Sequence, residues 1–226
     1  MRGKKSWLGS LGWLGLLGWL SCWGVLGSVG RAEALVVINE VLADPANGLA
    51  GDANADGTRS SAHDEFIEIL NYGAGTVDIS GWSLTDAAAT RHVFPSGTAL
   101  SPFEFFVVFG GGSPSLTGIH WQTASTGALS LNNSADTVSL LDAGFNIVDR
   151  LIYDGLANND QSIVRFPEGA GELFVLHTGL PQAHGALFSP GTSVDGEPLG
   201  QATVPEFLTI SYFATGVLMM AWRKRG

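Results

Sequence analysis

The residues best suited to chemistry lie between Gly51 and Asn71, in the run Gly-Asp-Ala-Asn-Ala-Asp-Gly-Thr-Arg-Ser-Ser-Ala-His-Asp-Glu-Phe-Ile-Glu-Ile-Leu-Asn. Asp52, Asn54 and Asp56 place oxygen-bearing side chains at alternate positions and Gly57 follows. That spacing wraps a short loop around a hard divalent cation. Thr58 is positioned to offer its carbonyl, and Asp64 to close the shell from the strand that follows. The expected ligand set for calcium is therefore Asp52, Asn54, Asp56, Thr58 and Asp64. The closing glutamate of an EF-hand is missing, because His63 stands in its place. Asp52, Asp56, Asp64 and Glu65 are crowded enough to repel one another unless an ion is bound. Asp, Asn and Gly are also what a solvated turn needs, with no ion at all.

The same residues allow a second chemistry. His63 with Asp52, Asp56 and Asp64 would suit a small extracytoplasmic metal-dependent hydrolase acting on phosphoesters. Catalytic zinc wants three protein ligands and an open position, but the chain has no His-x-x-x-His and a single cysteine. It also has no Gly-x-Ser-x-Gly elbow to carry a nucleophile. Gly110-Gly-Gly-Ser-Pro114 is not followed by lysine and reads as a loop, not a phosphate cradle. His120, His177 and His184 are scattered and read as surface or internally satisfied histidines. Glu40 and Glu68 sit inside apolar runs, where pairing with Arg91, Arg150 or Arg165 would fix strand register. Asn132-Asn133 and Asn158-Asn-Asp-Gln161 read as turn chemistry.

The elements that must position this loop are strands. Gly accounts for 31 of 226 residues, about twice the usual ~7%, and turn dipeptides separate runs of Val, Ile, Phe and Thr every ten residues or so. That punctuation specifies an all-β antiparallel sandwich. Leu35–Leu42 reads as a central strand, Glu65–Tyr72 as the strand leaving the acidic loop, and Thr137–Leu141 with Asn146–Tyr153 as a hairpin. Trp82 is expected as a core anchor between the sheets. From residue 35 to residue 204 there are four basic and nineteen acidic residues, a balance of −15. Such a surface repels phosphate backbones, which disfavours direct nucleic-acid binding. Cys22 lies in the leader, so an exported form would hold no disulfide.

Residues 1–34 carry Arg2, Lys4 and Lys5, a long apolar run and a small-x-small site at Ala32-Glu33-Ala34, the pattern of a secretory signal peptide. Residues 35–178 form the expected domain and 179–204 an edge segment and linker. Residues 205–226 form an apolar membrane anchor closed by Arg223, Lys224 and Arg225. Val204-Pro205-Glu206, the apolar stretch and the basic tail resemble the PEP-CTERM sorting signal, which implies a sorting protease.

Between the ends, an ordered set of motifs carries a further resemblance. It includes Ile38-Asn-Glu40, Asp64-Glu-Phe-Ile-Glu68, Ser80-Gly-Trp-Ser-Leu84, His92-Val-Phe-Pro95, Val107-Val-Phe-Gly110, Asp136-Thr-Val138 and Ser189-Pro-Gly191. The set resembles the bacterial lamin tail domain, an immunoglobulin-like β sandwich. The resemblance implies a non-catalytic interaction module. The expected protein is exported, tethered at the cell surface by its C-terminal helix, and bound there to an extracellular protein or glycan.

Overall fold

The computed structural model describes residues 35–199; the predicted signal segment, and the anchor from residue 205 onward, lie outside them. Twelve strands follow in order: β1 (Val36–Leu42), β2 (Phe66–Asn71), β3 (Val77–Asp78), β4 (Ser83–Thr85), β5 (Thr90–Val93) and β6 (Ala99–Leu100). The second half adds β7 (Phe105–Phe109), β8 (His120–Thr123), β9 (Asp136–Leu141), β10 (Ile147–Tyr153), β11 (Ile163–Phe166) and β12 (Leu173–Leu176). No α-helix occurs among the described residues.

A six-stranded sheet in the order β12-β11-β1-β2-β7-β8 faces a four-stranded sheet in the order β10-β9-β4-β5, and β3 pairs with β6. The core forms where their inner faces meet. Ile38, Val41, Ile67, Ile69 and Val108 from the larger sheet pack with Leu84, Val138, Leu140 and Leu151 from the smaller. Burying side chains of this size stabilises by about 1.5–3 kcal/mol each.

The strands β1, β2 and β7 are buried along their whole length, as their near-continuous apolar runs require. The reason is a cover on the outer face of the larger sheet. Leu42, Phe66, Val107 and Phe109 pack there against Leu116, Ile119, Trp121 and Phe188, and Val164 packs against Leu180, Ala183 and Val194. Residues 180–199, expected as an edge segment and linker, thus form a strap across that face.

Two expectations need correction. The sandwich is not wholly antiparallel, because β8 pairs with β7 in parallel. The connection between them crosses over the outer face, where Leu116 and Ile119 are half-buried, and a parallel pair requires such a crossover. Trp82 is also not a central anchor. It is half-buried and packs against the core from its rim, while Phe66, Phe94 and Phe109 are the fully buried aromatics.

Glu40 and Glu68 are fully buried but meet no arginine. A bulge between Ile38 and Glu40 turns Glu40 to the outer face, directly opposite Glu68. Ser189 donates to Glu40 from both its backbone N–H (3.0 Å) and its hydroxyl (2.8 Å). The Gly191 N–H donates to Glu68 at 2.7 Å. The Val194 N–H donates to Glu168 at 3.2 Å, and Asn39 Nδ2 bridges Glu68 and Glu168. Three carboxyls, two fully buried and one half-buried, therefore pin the strap, and the arginines work elsewhere. Arg91 pairs with Asp86, Arg165 pairs with Asp149, and Arg150 Nε donates to Ser139.

Candidate functional site

The acidic segment leaves β1 at Ala43, makes a short 3-10 turn at Gly48–Gly51 and enters β2 at Phe66. A connection this long without regular structure is uncommon in a compact domain and is usually functional when it is ordered. Here its polar groups satisfy one another. Asp52 accepts from the N–H groups of Asp56 (3.2 Å) and Gly57 (2.9 Å). Asn54 Oδ1 accepts from Asp56 N–H at 3.0 Å, and its amide donates to the Gly111 carbonyl at 3.3 Å. Asp56 accepts from Thr58 N–H at 2.9 Å and from Ser113 N–H at 3.1 Å.

Asp64 closes the loop from inside. It is fully buried, and its two oxygens accept from Asn54 N–H (3.1 Å) and Ser60 N–H (2.6 Å). Glu65 turns the other way, under the loop, and accepts from Leu131 N–H at 3.2 Å. Asp44 ties in two further loops, accepting from Asn133 Nδ2 at 2.7 Å and from Asp160 N–H at 3.2 Å.

The spacing therefore brought Asp52, Asn54 and Asp56 together, but around backbone N–H donors. Thr58 contributes its N–H and is exposed; Asp64 serves the base of the loop. Each of the four carboxylates faces at least one N–H group, which offsets part of the expected repulsion, although the charges of Asp52 and Asp56 still act on Asp64. Among the described residues, no group of three or more His, Cys, Asp or Glu side chains is placed to hold a metal. His63 is exposed and lies against Gly111.

Electrostatics follow the same geometry. The Ser113 N–H is the largest influence holding the Asp56 carboxyl below its usual range, with Thr58 N–H and Asn54 adding to it. Burial raises Asp64, and it pushes Glu65 up to about 7. Asp64→Ala would strand two N–H groups, each costing roughly 1–3 kcal/mol when left unpaired inside a protein. A urea melt is expected to show at least about 2 kcal/mol lost, with Asp64→Asn recovering part through its remaining carbonyl oxygen. An Asp64→Ala protein as stable as wild type would refute this role.

Sequence reasoning missed the partner surface of the loop. Gly110, Gly111 and Gly112 form its wall, and the signal was present in the run of three glycines. A side chain on Gly112, whose φ is +78°, would sit 2.6 Å from both Asn54 Nδ2 and Asp56 Oδ2. It also missed Asn39 and Glu168, while His177 is buried and internally satisfied, one of the two states expected of it. His177 bonds Ala186 O at 2.8 Å and Ser189 Oγ at 3.0 Å. Asn132, Asn133 and Asn159 do serve turns and loop contacts, as expected.

Compared with known proteins, residues 30–155, more than half of the chain, match the family described as Lamin Tail Domain. No curated protein matches the chain. The matched residues end just after β10, so β11, β12 and the strap complete the larger sheet from outside the matched region.

Proposed function

Since this chain belongs to the lamin tail domain family, we propose that it is a non-catalytic interaction module. In this reading it is exported, tethered at the cell surface, and binds an extracellular protein or glycan through the ordered acidic loop. The observation that carries the reading is the pre-formed loop itself. Asp52 and Asp56 are half-exposed at its tip, and hydrogen bonds donated by Asn54 to the Asp64 carboxylate and the Gly111 carbonyl hold it to the sandwich. Loops fixed on a rigid scaffold are where binding residues concentrate, and a loop ordered beforehand loses little entropy on binding.

Calcium enters this proposal as an added ligand of Asp52, Asn54, Asp56, Thr58 and Asp64, not as the support of the loop. A calorimetric titration with calcium alone measures it, and a flat titration removes it.

An array of immobilised cell-envelope proteins and glycans tests the main reading. Binding is expected to fall by about tenfold or more in an Asp52→Asn/Asp56→Asn double variant, since charged contacts at a desolvated interface contribute on the order of 1.5 kcal/mol or more. Binding that survives the double variant overturns the proposal. So does phosphoester turnover that is lost on His63→Ala, which would favour a hydrolase.

A further inference from the structure

Edge strands β5 and β8 end the two sheets at one side of the sandwich, and β10 and β12 end them at the other; the second side is open. Among the described residues no strand pairs with the outer edge of β10 or β12. A groove of about 420 Å³ runs between them, floored by Leu151, Tyr153, Ile163 and Phe174. Nine large apolar side chains are exposed among the described residues. Six of them lie on the β10 hairpin or at the turn joining β11 to β12, including Phe145, Ile152 (72% exposed) and Leu173. An unprotected apolar edge strand is a template for adding another strand.

Charge selects the occupant. The described residues carry a formal −15, yet two of their four arginines, Arg150 and Arg165, line this groove together with Asp154 and Glu172. This side thus offers guanidinium groups to a second, equally acidic body. Arg165 is already engaged by Asp149. Arg150 is exposed, and among the described residues only Nε of its guanidinium nitrogens has a partner, Ser139 Oγ.

We propose that β10 pairs antiparallel with β10 of a second copy about a two-fold axis at Ile152, joining the two four-stranded sheets into one. The register follows from side-chain alternation, which puts Arg150, Ile152 and Asp154 on one face. A two-fold axis at Arg150 would oppose two guanidinium groups, and like charges directly opposite destabilise a sheet. With the axis at Leu151, Arg150 meets Ile152. With the axis at Ile152, apolar Ile152 meets its own copy and Arg150 meets Asp154 twice. Asp154 uses Oδ1 to accept from Leu156 N–H at 3.1 Å, and Oδ2 is left to receive the guanidinium. This interface is separate from the acidic loop and does not depend on what that loop binds.

Position-specific cross-linking of the full chain tests the register. Cys22 is first replaced by serine, so that an introduced cysteine is the only thiol. Residues paired across antiparallel strands have Cα atoms about 5 Å apart, within the range a disulfide spans. Ile152→Cys is therefore expected to oxidise to a dimer at least about tenfold faster than Val93→Cys, which is exposed on β5 at the opposite side of its sheet. Association through the terminal segments would not favour one position over the other. Arg150→Asp, or Asp154→Arg, added to Ile152→Cys should slow cross-linking by about tenfold, and the two together should restore it. Equal rates at positions 152 and 93 overturn the proposal. Failure of the double reversal to recover, with Arg150→Asp folded by its melting curve, overturns it as well.

Discussion

Replacing Gly110 with alanine is expected to cost roughly 3 kcal/mol or more, by overpacking and by the loss of buried hydrogen bonds. For a domain of this size that lowers the melting temperature by about 10 °C. A Cβ at Gly110 would lie 1.8 Å from the Ala62 carbonyl oxygen and 3.0 Å from its carbon. Both are backbone atoms, so no side-chain rotation relieves the clash. The strand must move instead, and with it the Gly110 N–H that donates to Glu65 O at 2.7 Å and the Gly111 N–H that donates to His63 O at 3.2 Å. Those two bonds continue the β2–β7 ladder upward and hold the acidic loop against the sheet. Gly75→Ala is the control. Nothing lies within 4 Å of a Cβ there, and its φ is not positive, so the change should stay within ~0.5 kcal/mol. A differential scanning calorimetry trace for Gly110→Ala within 2 °C of wild type would show that the loop does not rest on this wall.

How far the sequence reveals these features depends on whether the information is local. Apolar, β-branched runs bounded by turns identified β1, β2, β9 and β10 to within a residue or two, because composition and turn punctuation are written along each strand. β8 was not visible. His120-Trp-Gln-Thr123 is exposed to half-buried and exists as a strand only because β7 lies beside it. Asp52, Asn54, Asp56 and Gly57 revealed a folded turn, but spacing does not say whether oxygens face a cation or N–H groups. Nor does it show that Ser113 and Gly111, more than fifty residues away, supply hydrogen-bond partners to Asp56 and Asn54. Glu40 and Glu68 marked a buried polar site, yet their partners come from the strap, about 120–150 residues further along. An apolar strand interrupted by one carboxylate therefore signals a partner without naming it.

The strap gives the second large effect, a stability that falls as the pH rises. Glu40 and Glu68 are opposite neighbours in the sheet, both fully buried, and Glu168 joins them through Asn39. Burial, reinforced by the charge on Glu40, pushes Glu68 well above the usual carboxylate range. Burial pushes Glu168 up to about 7 and does the same to Glu65 beneath the acidic loop. Each of these groups holds its proton more tightly when folded than when unfolded. Their contribution is complete below the unfolded value near 4.5 and is lost progressively as the pH climbs; that of Glu168 and Glu65 is gone once they ionise near 7. A rise from 4.5 to about 7 corresponds to roughly 3 kcal/mol per group. Asp56 and Asp195 are shifted the opposite way and weaken the fold only in stronger acid. Denaturant midpoints should therefore peak near pH 5 and drop by several kcal/mol toward pH 8. Glu168→Gln, which cannot ionise, should flatten part of that slope. The N–H groups of Gly191 and Val194 donate to Glu68 and Glu168, yet ionised neighbours without a cation between them repel. Hydrogen exchange at those two amides is expected to accelerate between pH 5 and pH 8 beyond the intrinsic base-catalysed rise, ahead of the core of β2. Midpoints that climb from pH 5 to pH 8 would mean that Glu65, Glu68 and Glu168 are already charged in the folded chain, and that the strap is held by ion-tolerant contacts instead.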